Sequence, residues 1–179
     1  WAVAALEDDP QFNAGTGAKL QADGAARLSA SLMDGTARRF SGVVNVERVR
    51  NPILLAVRLQ REEDRVLAGE GARAFARRQR VPDFDPITEE RWSEWRKRSE
   101  GDRLYGTVGA VAVDRNGKMA AATSTGGKGM ARPHRVGDTA TVAGNYASAK
   151  AAVSATGFGE EIVDLALAVR IVTRVDDGA

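Results

Sequence analysis

The sequence predicts an α+β domain in which layered β-sheets are covered by helices. Three observations carry that expectation. Short alternating strands fill the middle of the chain, and stretches with helical apolar spacing flank them. Turn pairs at Asp23-Gly24, Asp34-Gly35 and Asn116-Gly117 fold successive strands into hairpins. No internal repeat divides the 179 residues, of which 43% are hydrophobic and 28% charged, so the chain reads as one globular domain or a large piece of a bigger one.

Taken in order, residues 1–7 read as the last turns of an amphipathic helix, stopped by Asp8, Asp9 and Pro10. After the loop QFNAGTG, AKLQA and ARLSASLMD alternate polar and apolar residues around Asp23-Gly24, as a hairpin does. RRFSGVVNV is the next strand. Asn51 is placed to cap a helix that Pro52 opens, with Ile53, Leu54, Val57 and Leu59 on its apolar face. A short strand, RVLAG, precedes a helix over about 70–79. Residues 80–106 are dense in charge and lack a durable period; they read as an exposed, mobile linker with at most a short helix around Trp92 and Trp95. The regular strand TVGAVAVD turns at Asn116-Gly117 into KMAAATST. A glycine-rich loop, GGKGMARPHRVGD, leads to a strand in TATVAGNYAS and a closing helix over about 158–174. Trp1 falls inside a helix and Ala179 directly follows one, so the chain is expected to be a fragment or to lack its outer segments.

Composition narrows the chemistry. A formal charge of +2 gives no support to a nucleic-acid role, and the cluster Arg73, Arg77, Arg78 and Arg80 reads as a solvated helix face rather than a phosphate-binding patch. The absence of cysteine excludes disulfides, thiolate catalysis and Cys-based metal sites. A single histidine, His134, argues against multi-imidazole zinc sites and repeated Ser-His-Asp chemistry. No apolar run approaches the roughly 20 residues of a membrane span, so the expectation is a soluble, cytoplasmic protein with no membrane or nucleic-acid partner.

A hydroxyl nucleophile would then need a base from elsewhere. A threonine at a free chain terminus supplies its own, because its α-amine titrates near ~8 and lies beside the hydroxyl. Thr107 suits that role: a linker and the small Gly106 precede it, and a rigid strand follows. A plain strand start, with threonine present for β-propensity, is the other reading of the same residues. Arg135 and Asp138 could grip the two ends of a zwitterion or form a surface ion pair. Thr156 stands where it could cap the helix after it.

GTVGAVAVDRNGKMAAATSTGG, followed by RVGD and ATGFGE, resembles the cleavage region of plant-type asparaginases and isoaspartyl peptidases. These are threonine-type members of the N-terminal-nucleophile hydrolases. FNAGTGAKLQADG, ASLMDG and NPI resemble the segment upstream, so the resemblance covers nearly the whole chain and is weakest in the linker. It implies a four-layer αββα sandwich, incomplete here at both ends. It also implies autoproteolysis between Gly106 and Thr107 into an α piece, 1–106, and a β piece, 107–179, and a homodimer of αβ units. The implied activity is hydrolysis of the side-chain amide of L-asparagine and of β-aspartyl dipeptides, with no required cofactor.

By the same resemblance Thr107 is the nucleophile and Thr125 hydrogen-bonds and tunes it. Arg135 holds the substrate α-carboxylate and Asp138 its α-ammonium group. Thr156 and Gly157 form the oxyanion hole, Gly159 lines the pocket, and Asn13 orients the site. The loop over Leu6, Glu7, Asp9, Phe12, Ala14 and Thr16 resembles one whose backbone carbonyls wrap a structural sodium ion. His134 departs from a common glycine and is expected at the pocket entrance or in specificity; the KGMAR stretch, basic through Lys128 and Arg132, departs too. A non-catalytic fragment of the fold and a glycosylasparaginase-like amidase are the alternatives.

Overall fold

In the computed structural model, which describes residues 1–97 and 106–178, the turn at Asp34-Gly35 builds the central hairpin of the molecule. The Asp34 side chain makes that turn, accepting the Thr36 and Ala37 amides at 2.9 Å each. β1 (Leu28–Asp34) thereby folds against β2 (Arg39–Val46) in antiparallel register, Leu32 opposite Ser41, with a register shift between Leu28 and Ala30. β3 (Val66–Ala68) adds in parallel to β2. On the other side of β1, β5 (Met119–Thr125) and β4 (Val108–Val113) complete a five-stranded sheet of order β3-β2-β1-β5-β4. β6 (Asn145–Ala147) and β7 (Ala152–Ser154) form a second, two-stranded sheet.

Alternation along β1 decides what each face meets. Leu28 and Ala30 point with Val43 and Val46 toward α2 (Pro52–Leu59), α3 (Gly69–Arg78) and α1 (Ala2–Asp8), joining Ile53, Leu55, Leu59 and Phe75 in the main core. Burying each such large aliphatic side chain contributes about 1.5–3 kcal/mol. Ser31 and Met33 point the other way, onto β6: Met33 packs with Ala121 and Ala147, and Ser31 Oγ accepts the Asn145 side-chain amide at 2.9 Å. α6 (Leu167–Asp176) covers β6 and β7 with Val172 fully buried, and α5 (Gly159–Asp164) packs against α6. Among the described residues no helix is long and apolar enough to cross a membrane.

Several expectations need correction. AKLQA is not a strand. The backbone of this stretch exchanges bonds with the glycine-rich loop instead of with β1, Ala22 N with Ala131 O at 2.8 Å and Met130 N with Leu20 O at 2.9 Å. Its alternation reports neither sheet pairing nor one buried face, because Lys19 and Gln21 are buried along with Ala18 and Leu20. Asn51 occupies the N-cap position of α2, as expected, but its side chain makes no capping bond. Its side chain donates to Ala4 O and Asp8 Oδ1, and the cap is Glu7 from α1, whose Oε1 accepts the Ile53 amide at 3.0 Å. The closing helix breaks after Asp164, where Ala166 takes a left-handed conformation (φ 46°), and Phe158, not Thr156, precedes its first turn. Of TATVAGNYAS only Asn145–Ala147 is a strand.

Within the segment expected to be an exposed linker, α4 (Glu89–Lys97) is docked. Trp92 and Trp95 stack at 5.0 Å, Trp95 Nε1 donates to Gln21 O at 3.0 Å, and Arg91 Nε donates to Gly17 O at 2.7 Å. Residues 98–105 of that segment lie outside the described residues. The basic helix face is paired as well: Arg73 with Asp83, and Arg77 with Glu70.

Candidate active site

The register of β4 on β5 places Val108 opposite Ser124, so the residues one step further along each strand, Thr107 and Thr125, stand side by side. Thr107 Oγ1 donates to Thr125 Oγ1 at 3.2 Å, and Thr125 Oγ1 also accepts the Gly127 amide at 3.0 Å. Gly106 lies against Asn13: a Cβ at position 106 would fall 2.7 Å from Asn13 Cβ. Asn13 is buried and staples two loops, its Nδ2 donating to Gly127 O at 2.6 Å and its Oδ1 accepting the Lys19 amide at 2.8 Å. Gly126 fits into the same junction, where a Cβ would meet Asn13 Oδ1 and Ala18 Cβ at 2.5 Å. The hydroxyl pair therefore sits on a support built from both halves of the chain.

The loop after β5 brings Arg135 and Asp138 to the same place. Arg135 Nε donates to Glu160 Oε1 at 2.7 Å, which draws the Glu160 carboxyl below its ordinary range. Asp138 is 6% exposed, and its Oδ2 has no hydrogen-bond partner among the described residues. Burial pushes its pKa up, opposed by its own backbone amide and by the Arg135 charge, and assisted by the nearby Glu160. Gly159 makes this convergence possible. A Cβ there would lie 2.7 Å from Asp138 Oδ1 and 2.9 Å from Arg135 Nη2.

These groups open onto one cavity of about 630 Å3, whose walls include Thr107, Thr125, Arg135, Asp138, Gly157 and Gly159. The sequence-predicted residues thus converge from β4, β5, the 126–144 loop and the turn before α5. Thr156 does not join them, since it is exposed and outside the lining. Asn13 acts from behind the wall. His134 is also outside the lining. It adopts φ 63°, the left-handed conformation that suits the glycine expected there, and its amide donates to Gln21 Oε1 at 2.8 Å. Sequence reasoning missed Lys19, Arg27 and Trp95, which also line the cavity. Arg27 looked like any surface arginine, and only its 8% exposure between Asp23 and Glu47 sets it apart.

The loop Leu6 to Thr16 runs from the end of α1. Glu7 O accepts the Thr16 amide at 2.8 Å and Asp9 O the Phe12 amide at 3.2 Å; Leu6 belongs to the last turns of α1, and Ala14 is buried. Thr16 Oγ1 is buried without a hydrogen-bond partner among the described residues. No group of three or more His, Asp or Glu side chains able to hold a metal occurs among the described residues. Glu7 itself is fully buried. Its Oε1 also accepts Ser124 Oγ at 2.5 Å, and burial carries its pKa up to about 8 against the hydrogen bonds from Ser124, Ile53 and Asn51.

Comparison with known proteins adds a family to this geometry. The family described as Asparaginase matches residues 1–179. The chain is 50% identical to an isoaspartyl peptidase/L-asparaginase of Synechocystis sp., covering 97% of this chain and 58% of that protein. It is 40% identical to a plant-type L-asparaginase of Pyrococcus horikoshii, covering 93% of this chain and 62% of that one. A zebrafish (Danio rerio) isoaspartyl peptidase/L-asparaginase is 39% identical over 99% of this chain and 62% of its own length. The chain therefore spans about six-tenths of the length of these relatives.

Proposed function

The chain belongs to the asparaginase family, and from that premise we propose that the protein is an autoprocessed threonine amidohydrolase acting on L-asparagine and β-aspartyl dipeptides. One observation carries the proposal: Thr107, directly after Gly106, holds its hydroxyl 3.2 Å from Thr125 in the same cavity as Arg135 and Asp138. A hydroxyl, a second hydroxyl that polarises it, a guanidinium and a carboxylate are what amide hydrolysis of an aspartyl zwitterion needs.

In the first stage Thr107 Oγ1 attacks the Gly106 carbonyl carbon, the C–N bond breaks, and the acyl group passes to oxygen as an ester. Water then hydrolyses the ester, leaving Gly106 as a carboxylate and Thr107 with a free amine. In the second stage that amine takes the proton of Oγ1 as it attacks the substrate β-carbonyl. Ammonia or an amino acid leaves carrying the proton, and water releases aspartate from the aspartyl ester. Arg135 suits the substrate α-carboxylate through its planar fork. Asp138 suits the α-ammonium: a buried carboxylate whose Oδ2 lacks a partner among the described residues gains one when the cation arrives. Gly157, in the cavity wall, is the backbone donor this reading relies on for the oxyanion; Thr156 would have to turn inward to share that task.

Two wider features belong to the same proposal. The complete molecule is a four-layer αββα sandwich, a reading supported by the order in which α1–α3, the five-stranded sheet, the two-stranded sheet and α6 contact one another. The Leu6–Thr16 loop holds a sodium ion through the carbonyls of Leu6, Glu7, Asp9, Phe12, Ala14 and Thr16. The unpartnered Thr16 Oγ1 supports oxygen chemistry seeking a further partner there.

Denaturing electrophoresis of the full-length protein tests the first stage. Two pieces are expected, the second beginning at Thr107, and Thr107→Ala should remain a single chain without ammonia release from asparagine. Scission persisting in Thr107→Ala would overturn the assignment.

A further inference from the structure

The cavity holds more positive charge than the aspartyl half of a substrate can use. Lys19, Arg27, Arg91, Arg135 and Lys128 all contribute to its walls. Arg27 is paired with Asp23 and Glu47, Arg91 with Glu94, and Arg135 with Glu160. Lys128 forms no salt bridge with an Asp or Glu among the described residues. Its ammonium instead stands 5.5 Å from the centre of the Phe158 ring, between the wall residues Gly157 and Gly159. Its backbone is held too, because the preceding residue, Gly127, donates its amide to Thr125 Oγ1 at 3.0 Å. A cation resting on an aromatic face, three residues along the chain from Thr125, stays open to solvent yet is held at the cavity wall.

We propose that Lys128 binds the α-carboxylate of the leaving amino acid, so that the site is tailored to β-aspartyl dipeptides over asparagine. The inference rests on the hydrolase reading above. Within it, Arg135 and Asp138 take the carboxylate and ammonium of the aspartyl unit. Asparagine then releases only ammonia, which offers a lysine nothing. A β-aspartyl dipeptide releases an amino acid whose carboxylate can give Lys128, which otherwise only acts at a distance on Glu160, the salt bridge it does not make among the described residues. Met130, exposed and in the same wall, offers apolar surface to that amino acid's side chain.

Steady-state kinetics on the autoprocessed protein decide the matter, with three substrates: asparagine, β-aspartyl-leucine, and β-aspartyl-leucine with its C-terminal carboxylate converted to an amide. The wild type should prefer the free acid to the amide by about tenfold in kcat/KM, the scale of one charge-assisted hydrogen bond at a solvated site. Lys128→Ala should bring that preference close to unity, mainly through KM, and lower the dipeptide-to-asparagine ratio by a similar factor. Lys128→Arg should retain most of both. Equal use of acid and amide by the wild type, or an unchanged ratio in Lys128→Ala, would overturn the inference and leave the hydrolase reading intact. A processed wild type that turns over none of the three would overturn both.

Discussion

Replacing Asn13 with alanine should cost the protein roughly 1.5–4.5 kcal/mol and slow its processing, although Asn13 lies outside the cavity wall. The figure comes from two lost bonds. The Lys19 amide, in a buried stretch, loses its 2.8 Å acceptor, and an unsatisfied buried donor costs about 1–3 kcal/mol. Gly127 O loses a 2.6 Å donor but is half-buried and can recruit water, which limits that loss to about 0.5–1.5 kcal/mol. The backbone bond from Gly126 N to Asn13 O, 2.8 Å, survives the substitution, so the loops stay adjacent but lose their fixed spacing. Urea unfolding in a Thr107→Ala background, where one continuous chain unfolds, should show a lower midpoint at constant m. Asn13→Asp is the sharper arm. It keeps the acceptor for Lys19 but sets an oxygen against Gly127 O, and it should be nearly as damaging. A change below about 0.5 kcal/mol in both variants, the range of an ordinary surface substitution, would refute the account of Asn13 as a staple.

Two further outcomes follow from the buried end of α1. Glu7 keeps its proton in the folded protein up to about pH 8, whereas the unfolded carboxyl releases it near 4.5. The folded state therefore binds one more proton at this group between those values, and the contribution of Glu7 to stability is full below about 4.5 and declines as the pH rises toward 8. Glu7→Gln, which keeps an acceptor for Ser124 and Ile53, should remove roughly 3 kcal/mol of that decline between pH 5 and pH 8; parallel pH profiles for the two proteins would contradict it. The sodium proposal predicts a Tm that rises with sodium chloride but not with choline chloride at equal ionic strength, and equal responses to the two salts would remove it.

Much of this was legible in the chain itself. Hairpins at Asp34-Gly35 and Asn116-Gly117 follow from local turn chemistry, and the structure has both, joining β1 to β2 and β4 to β5. The Thr107–Thr125 pair was legible by resemblance, and the antiparallel register explains its spacing. The helix at Pro52 was also foreseen, but its cap was not: Asn51 had the right identity and position, and Glu7 from another helix took the role. Capping by a residue distant in sequence leaves no local signature. The same holds for AKLQA, where the burial of Lys19 and Gln21 beside Ala18 and Leu20 comes from the glycine-rich loop that the backbone pairs with, which the local alternation does not record.

Local sequence determined where the chain turns, which faces are apolar, and that a threonine follows a glycine at the head of a strand, because each depends on a few neighbouring residues. Folding alone decided that Asp138 Oδ2 lacks a hydrogen-bond partner among the described residues, that Arg27 is buried and that Lys128 rests on Phe158 in the wall of the cavity that holds Thr107. Those properties depend on groups brought together across the chain, and burial, electrostatic environment and cavity shape belong to the packed arrangement rather than to any residue within it.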